Sequence, residues 1–163
     1  MKSEARRSRS RLRAVPSGKM FFQEMLCAAI DIGSNTTRVL VAEPDDGQLQ
    51  KVMEQRAYTR IVKGAKKKDG SISAGKIAEV ADVVATQVRL AQELGAEAIR
   101  IVATAAVREA ANCELVAEEI ANQAGFPVDV LSEQDEGRLA FIGATKGLSH
   151  PVEGEIGVVD VGG

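Results

Sequence analysis

Two carboxylates, each closing an apolar run and each followed by small residues, offer the most chemistry in this sequence. The first stands in Asp31-Ile32-Gly33-Ser34-Asn35-Thr36, the second in Asp160-Val161-Gly162-Gly163. Cys27-Ala28-Ala29-Ile30 precedes one and Ile156-Gly157-Val158-Val159 the other, so each aspartate is expected at the C-terminal end of a buried strand. A turn of Gly, Ser and Asn lets backbone N–H groups come close to an anion, because little side chain stands in the way. Gly33, Ser34, Asn35, Gly162 and Gly163 are therefore candidate phosphate-binding residues. Asp31 and Asp160 can hold a hydrated divalent cation beside that phosphate. Two such loops facing each other form a clamp, whereas two ordinary hairpin turns would share the same composition.

Three further groups could act on the same anion. Thr104 and Arg108, in Ala103-Thr104-Ala105-Ala106-Val107-Arg108, are four residues apart and share a helical face. A guanidinium offers phosphate oxygens a planar fork, although a capped helix with a surface arginine would look alike. Ser132-Glu133-Gln134-Asp135-Glu136 places three acids in a helical first turn. A capping box and the helix dipole explain that composition fully; the sharper reading makes Glu136 a general base on the rim of a cleft. Lys63-Gly64-Ala65-Lys66-Lys67-Lys68-Asp69-Gly70 is a local cationic turn, either solvated or guiding a long anion.

The elements that must position these groups follow from the patterning. Ala28–Ile32, Thr37–Glu43 and Gln48–Tyr58 read as strands joined by the Gly33–Thr36 turn and by Pro44-Asp45-Asp46-Gly47, a three-stranded antiparallel meander. Ile77, Val80, Ala81, Val84, Val88 and Ala91 then fall on one helical face, with Ser73 as N-cap and Gly95 beyond the end. Ala98–Ala103 is a buried strand, Ala105–Ala111 a short helix, and Asn112 the N-cap of a helix over Leu115–Ala124. Val128–Leu131 is another strand, Ser132 caps a helix running to about Thr145, and Ile156–Val159 is the last strand. A meander followed by alternating helices and parallel strands is an α/β layout.

The chain has 163 residues, enough for one domain with a sizeable core, and 45% of them are hydrophobic. Only 3% are aromatic and none is Trp, which argues against stacking platforms for nucleic-acid bases. A net charge of −2 confines any anion-binding surface to a local patch, and no nucleic-acid partner is expected. Cys27 and Cys113 lack the spacing of a metal or redox motif and suit reduced thiols in a cytoplasmic protein, and His150 has no second histidine to join it. Residues 1–25 read as a basic, disordered arm. Gln23 and Glu24 interrupt its apolar run, so it is not a signal peptide, and no segment is long and apolar enough to span a membrane.

Ala-Ile-Asp-Ile-Gly-Ser-Asn-Thr, Ala-Thr-Ala-Ala-Val-Arg-Glu-Ala-Ala-Asn, Glu-Gly-Arg-Leu-Ala-Phe-Ile-Gly and Val-Asp-Val-Gly-Gly occur in that order from Ala29 to Gly163. In order and spacing they resemble the Ppx/GppA family of exopolyphosphatases and guanosine pentaphosphate phosphohydrolases. The resemblance implies an actin-like ATPase (ribonuclease H-like) lobe over residues 26–163. It also implies hydrolysis of the terminal phosphoanhydride of polyphosphate or guanosine pentaphosphate by the complete protein, with Mg²⁺ held near Asp31 and Asp160. By the same resemblance Asp31 and Gly33-Ser34-Asn35 match the first phosphate loop, Arg108 the phosphate-binding arginine, and Glu136 the catalytic glutamate. Asp160, Gly162 and Gly163 match the start of the second phosphate loop. Glu133 and Gly137 depart from the family's usual Gly and Ala. The family's remaining loop residues and second lobe would follow Gly163, so this chain is expected to be a first lobe, truncated in its second phosphate loop and inactive alone. The complete protein could form a homodimer. A kinase of the same superfamily and a non-catalytic polyphosphate- or nucleotide-binding module are the competing readings.

Overall fold

The computed structural model describes residues 25–45, 48–61, 69–146 and 154–159. The basic arm up to residue 24, the lysines of 63–68, His150 and the second glycine loop at 160–163 lie outside the described residues.

Three strands come first: β1 (Cys27–Ile32), β2 (Thr37–Asp45) and β3 (Gln48–Ala57). β1 pairs antiparallel with β2, and β2 antiparallel with β3, which makes the expected meander. Along β1 the side chains alternate strictly: Ala28, Ile30 and Ile32 are buried, while Ala29 and Asp31 face out. In β2 the alternation breaks once, where Val41 and Ala42 are both buried. The β2–β3 register shifts there: Val41 faces Met53 and Ala42 faces Lys51, so the extra residue is Val52 and the bulge lies in β3.

Helix α1 (Ala74–Glu93) follows. Ser73 caps it by accepting the Lys76 amide at 3.3 Å, and Gly95 leaves it at φ +90°. Ile77, Val80, Ala81, Val84, Val88 and Ala91 are all buried, the stripe that their spacing predicts. The chain then enters β4 (Ala98–Ala103), α2 (Ala105–Arg108), α3 (Cys113–Ala124) and β5 (Val128–Val130). β4 lies parallel to β1 and β5 parallel to β4, so the sheet order is β3-β2-β1-β4-β5. Helices α1 and α3 pack on each other and on the sheet face that carries Ile30, Ile32, Val39 and Ile101. Each such isoleucine, fully removed from water, contributes about 1.5–3 kcal/mol. The last helix, α4 (Glu133–Lys146), has no buried residue.

Three expectations are corrected. The short helix stops at Arg108 rather than Ala111, because the Ala110 and Cys113 amides bond back three residues, to Val107 and Ala110, in successive tight turns. Asn112 occupies the N-cap position of α3 but makes no capping bond, since its amide is committed elsewhere. Residues 156–159 form no strand and are exposed, Val159 at 87%. A β-prone run forms a strand only where a neighbour satisfies its backbone, and among the described residues no ladder reaches this one.

Candidate active site

The first glycine turn sits at the C-terminal end of β1, beside the point where β4 gives way to α2. The Gly33 amide donates to the Thr36 carbonyl at 3.0 Å, closing a tight turn. A Cβ at Gly33 would stand 3.1 Å from that same oxygen, so the turn depends on the missing side chain. Asp31 lies one pleat earlier, on the sheet face turned away from α1 and α3, in register with Arg38 and Val102. Among the described residues no group of three His, Cys, Asp or Glu side chains is placed to hold a metal. Asp31 supplies a single carboxylate beside the turn. That donor suits a cation arriving with phosphate and water better than one caged by protein.

Thr104 joins β4 to this turn. Its amide donates to the Ile32 carbonyl at 3.2 Å, and its hydroxyl reaches the same oxygen at 3.4 Å. It heads α2 without a side-chain cap. The threonine thus ties two strand ends together; its hydroxyl is turned to Ile32 rather than toward an anion shared with Arg108.

Arg108 and Glu136, 28 residues apart in sequence, meet. Arg108 Nη1 donates to Glu136 Oε2 at 2.8 Å and to the Leu131 carbonyl, also at 2.8 Å. The pair is partly shielded, with side chains 22% and 32% exposed. The bond to Glu136 holds the guanidinium above its ordinary range against the opposing effect of burial, and the charges of Glu136, Glu133 and Glu109 add to it. Both bonds use one nitrogen, so Nε and Nη2 make no hydrogen bond among the described residues and keep an edge of the fork for another anion. Glu133, which departs from the family pattern, is felt at this guanidinium.

The capping box at the start of α4 is present too. The Asp135 amide donates to Ser132 Oγ at 3.1 Å, and that hydroxyl donates to Asp135 Oδ2 at 2.6 Å. In the acidic turn Asp135 takes part in the capping box, while Glu136 turns to Arg108. Leu131 anchors this start to the sheet by donating its amide to the Ala103 carbonyl at 2.9 Å.

Sequence reasoning missed what stands behind the turn. Thr37 and Thr59, both fully buried, share a hydroxyl–hydroxyl bond of 3.1 Å. The Arg60 amide donates to the Asn35 carbonyl at 3.0 Å, Lys76 Nζ donates to the Thr59 carbonyl at 2.9 Å, and Gln87 Nε2 donates to the Thr37 carbonyl at 3.2 Å. A buried Gln in an otherwise apolar helical stripe was the available signal. Asn112 was missed in the same way: its amide accepts from the Ile72 N–H at 2.9 Å and donates to the Ile72 carbonyl at 3.0 Å.

A mixed sheet with a glycine turn at the end of β1, and an arginine–glutamate pair carried on the helices that follow β4 and β5, defines an α/β lobe with a candidate anion site. The chain matches the profile of the Ppx/GppA phosphatase family over residues 40–163 and belongs to that family. It is 35% identical over 143 residues to a guanosine-5'-triphosphate,3'-diphosphate pyrophosphatase of Vibrio cholerae, covering 85% of this chain and 27% of that one. A Vibrio vulnificus protein of the same description is 31% identical over 140 residues, with the same coverage. Among solved structures, the Aquifex aeolicus PPX-GPPA enzyme superposes with a TM-score of 0.70 at 33% identity, over 77% of this chain and 42% of that one. An exopolyphosphatase from Cytophaga hutchinsonii shares the fold at 20% identity, with a TM-score of 0.69 over 75% of this chain and 39% of that one. The chain thus spans about a quarter of the length of the curated relatives it matches. The α/β class expected from the sequence holds.

Proposed function

We propose that the protein containing this chain is a phosphohydrolase that removes the terminal phosphate of guanosine pentaphosphate, of inorganic polyphosphate, or of both. The observation that carries this reading is the 2.8 Å bond between Arg108 and Glu136, which brings a phosphate-binding guanidinium and a candidate general base side by side. Glu136 accepts the proton of the attacking water through its carboxylate, of which Oε1 makes no hydrogen bond among the described residues. Arg108 holds that carboxylate through Nη1 and presents Nε and Nη2 to the equatorial oxygens of the phosphorus under attack. Ser34 and Asn35 offer backbone amides to the same charge, the Gly33 amide closes the turn on the Thr36 carbonyl, and Thr104 keeps the turn beside α2. Gly162 and Gly163, outside the described residues, would by the resemblance belong to a second phosphate loop. Asp31 and Asp160 would hold Mg²⁺, which would supply charge neutralisation to the bound phosphates.

Both substrates end in a phosphoanhydride, so the chemistry is common to them. The names of the Vibrio relatives favour the guanosine compound. The test is Glu136→Gln in the complete protein, with orthophosphate release followed on each substrate. Turnover is expected to fall by about 100-fold or more, with much less change in substrate affinity. Near-normal release would remove Glu136 from the mechanism. Tight binding without release by the unaltered protein would instead support a non-catalytic binding module.

A further inference from the structure

We infer that Lys76 and Thr59 are positioning residues for the first phosphate loop, a role that rests on the phosphatase reading for its consequence but not for its geometry. The loop is anchored on one side by β1 and on the other by the short segment Thr59–Ile61. Arg60 fixes Asn35 through its amide at 3.0 Å. Arg60 itself sits at φ +48°, the left-handed region that a bulky side chain rarely enters. Such a conformation persists only where the surroundings over-determine it. Here they do. Ile61, on one side, is buried in the core, and Thr59, on the other, is 1% exposed and gripped from two directions. Its hydroxyl meets that of Thr37, the residue at which the loop enters β2, at 3.1 Å. Its carbonyl accepts from Lys76 Nζ at 2.9 Å.

Lys76 suits this task. Its amide belongs to the capped first turn of α1, the best-buried helix, and its side chain is only 18% exposed. The second ammonium contact is to Glu79 at 2.5 Å, on the solvent side. A solvated lysine could satisfy itself with Glu79 alone. This one is drawn inward to a backbone oxygen next to a strained residue, and that residue holds the loop. Gln87, one per cent exposed and from the same helix, ties down the Thr37 carbonyl at 3.2 Å. Helix α1 therefore sets the loop from behind at two points, and the loop amides inherit the rigidity of the core. Catalytic donors act by being already in place when charge develops, so loosening their support should cost turnover without touching a substrate contact.

The experiment compares Lys76→Met, Lys76→Arg, Thr59→Val and Glu79→Gln in the complete protein. Tripolyphosphate with Mg²⁺ is the kinetic probe, and amide hydrogen exchange at residues 33–36 is the structural one. Lys76→Met is expected to lower kcat about tenfold or more, with KM moving less, and to speed exchange at Gly33–Thr36. Thr59→Val should act in the same direction. Lys76→Arg, which can still donate to the Thr59 carbonyl, should restore most of both, and Glu79→Gln should leave both near the parent values. If Lys76→Met changes melting temperature while kcat and loop exchange stay within twofold, the residue only supports α1 and the inference fails. Exchange needs no catalysis, so a protein that hydrolyses neither substrate would refute the phosphatase reading and leave this inference to be decided by exchange alone.

Discussion

Residues 27–32 and 156–159 begin as near twins: a short apolar run ahead of an aspartate and a glycine. In the folded chain they have nothing in common. β1 is paired on both sides, antiparallel to β2 and parallel to β4, and Ile30 and Ile32 are fully buried under α1. Residues 156–159 have no strand on either side among the described residues, and Ile156, Val158 and Val159 are all exposed. An extended backbone carries one donor and one acceptor per residue and needs partners for both. Side-chain type decides which face a strand buries, but only a neighbour decides whether there is a strand. Ile72 lies between these extremes. It is an isolated bridging residue whose N–H and carbonyl both pair with the Asn112 side chain, an amide standing in for a strand.

The sharpest way to break the contrast is to damage the paired member. Ile30→Ala removes a side chain that is fully buried between two strands and a helix, where the surroundings can collapse little. Urea unfolding of the chain should show a loss of about 2–5 kcal/mol. A loss under 1 kcal/mol would mean that the centre of the sheet is loosely packed, and that β1 and 156–159 differ less than the structure says.

Asn112→Ala tests the intermediate case. It deletes both bonds to Ile72 and leaves a partly buried N–H and carbonyl without their partner, worth about 1–3 kcal/mol. The Ala111 amide also donates to the Gly70 carbonyl at 3.2 Å, so part of the join survives. Hydrogen exchange at Ile72 should accelerate well beyond what the global loss predicts. Equal acceleration everywhere would show that Asn112 is simply part of the core.

What the sequence made legible follows the same rule. Ser73, the stripe from Ile77 to Ala91 and Gly95 at φ +90° are local signals, and each lies where it was expected. β1 and β4 were legible because buried parallel strands are runs of Ile, Val and Ala with turn residues at their ends. The contact of Arg108 with Glu136 was legible only as two separate candidates; the resemblance put them in one site, and the fold puts them 2.8 Å apart. Thr37, Thr59, Lys76 and Asn112 escaped because their partners lie 17 to 40 residues away, and nothing in a Thr or a Lys announces which distant carbonyl or hydroxyl it will meet. Asn112 takes the N-cap position that its type suggests, but its side chain goes to Ile72 instead of to the helix. Residues 156–159 were misread for the complementary reason: their pattern is right, and pattern holds no information about a neighbour.

The smallest expected effect is therefore the most pointed. Val158→Ala removes two methyl groups from a residue with no strand partner among the described residues, 37% exposed. In the chain as it stands the cost should lie within about 0.5 kcal/mol, the usual range for surface positions. The same substitution at Val39 in β2, fully buried, would be felt several-fold more strongly. Measuring it a second time, in the complete protein, turns the contrast into a question about pairing. If residues 156–159 take a place in a sheet there, the substitution should cost more than in the chain alone, and exchange at Val158 should slow relative to it. If the two costs agree, this run is not a strand in either setting, and its likeness to β1 ends at the level of residue type. A large cost in the chain alone would contradict the exposure of Val158 and overturn the contrast at its root.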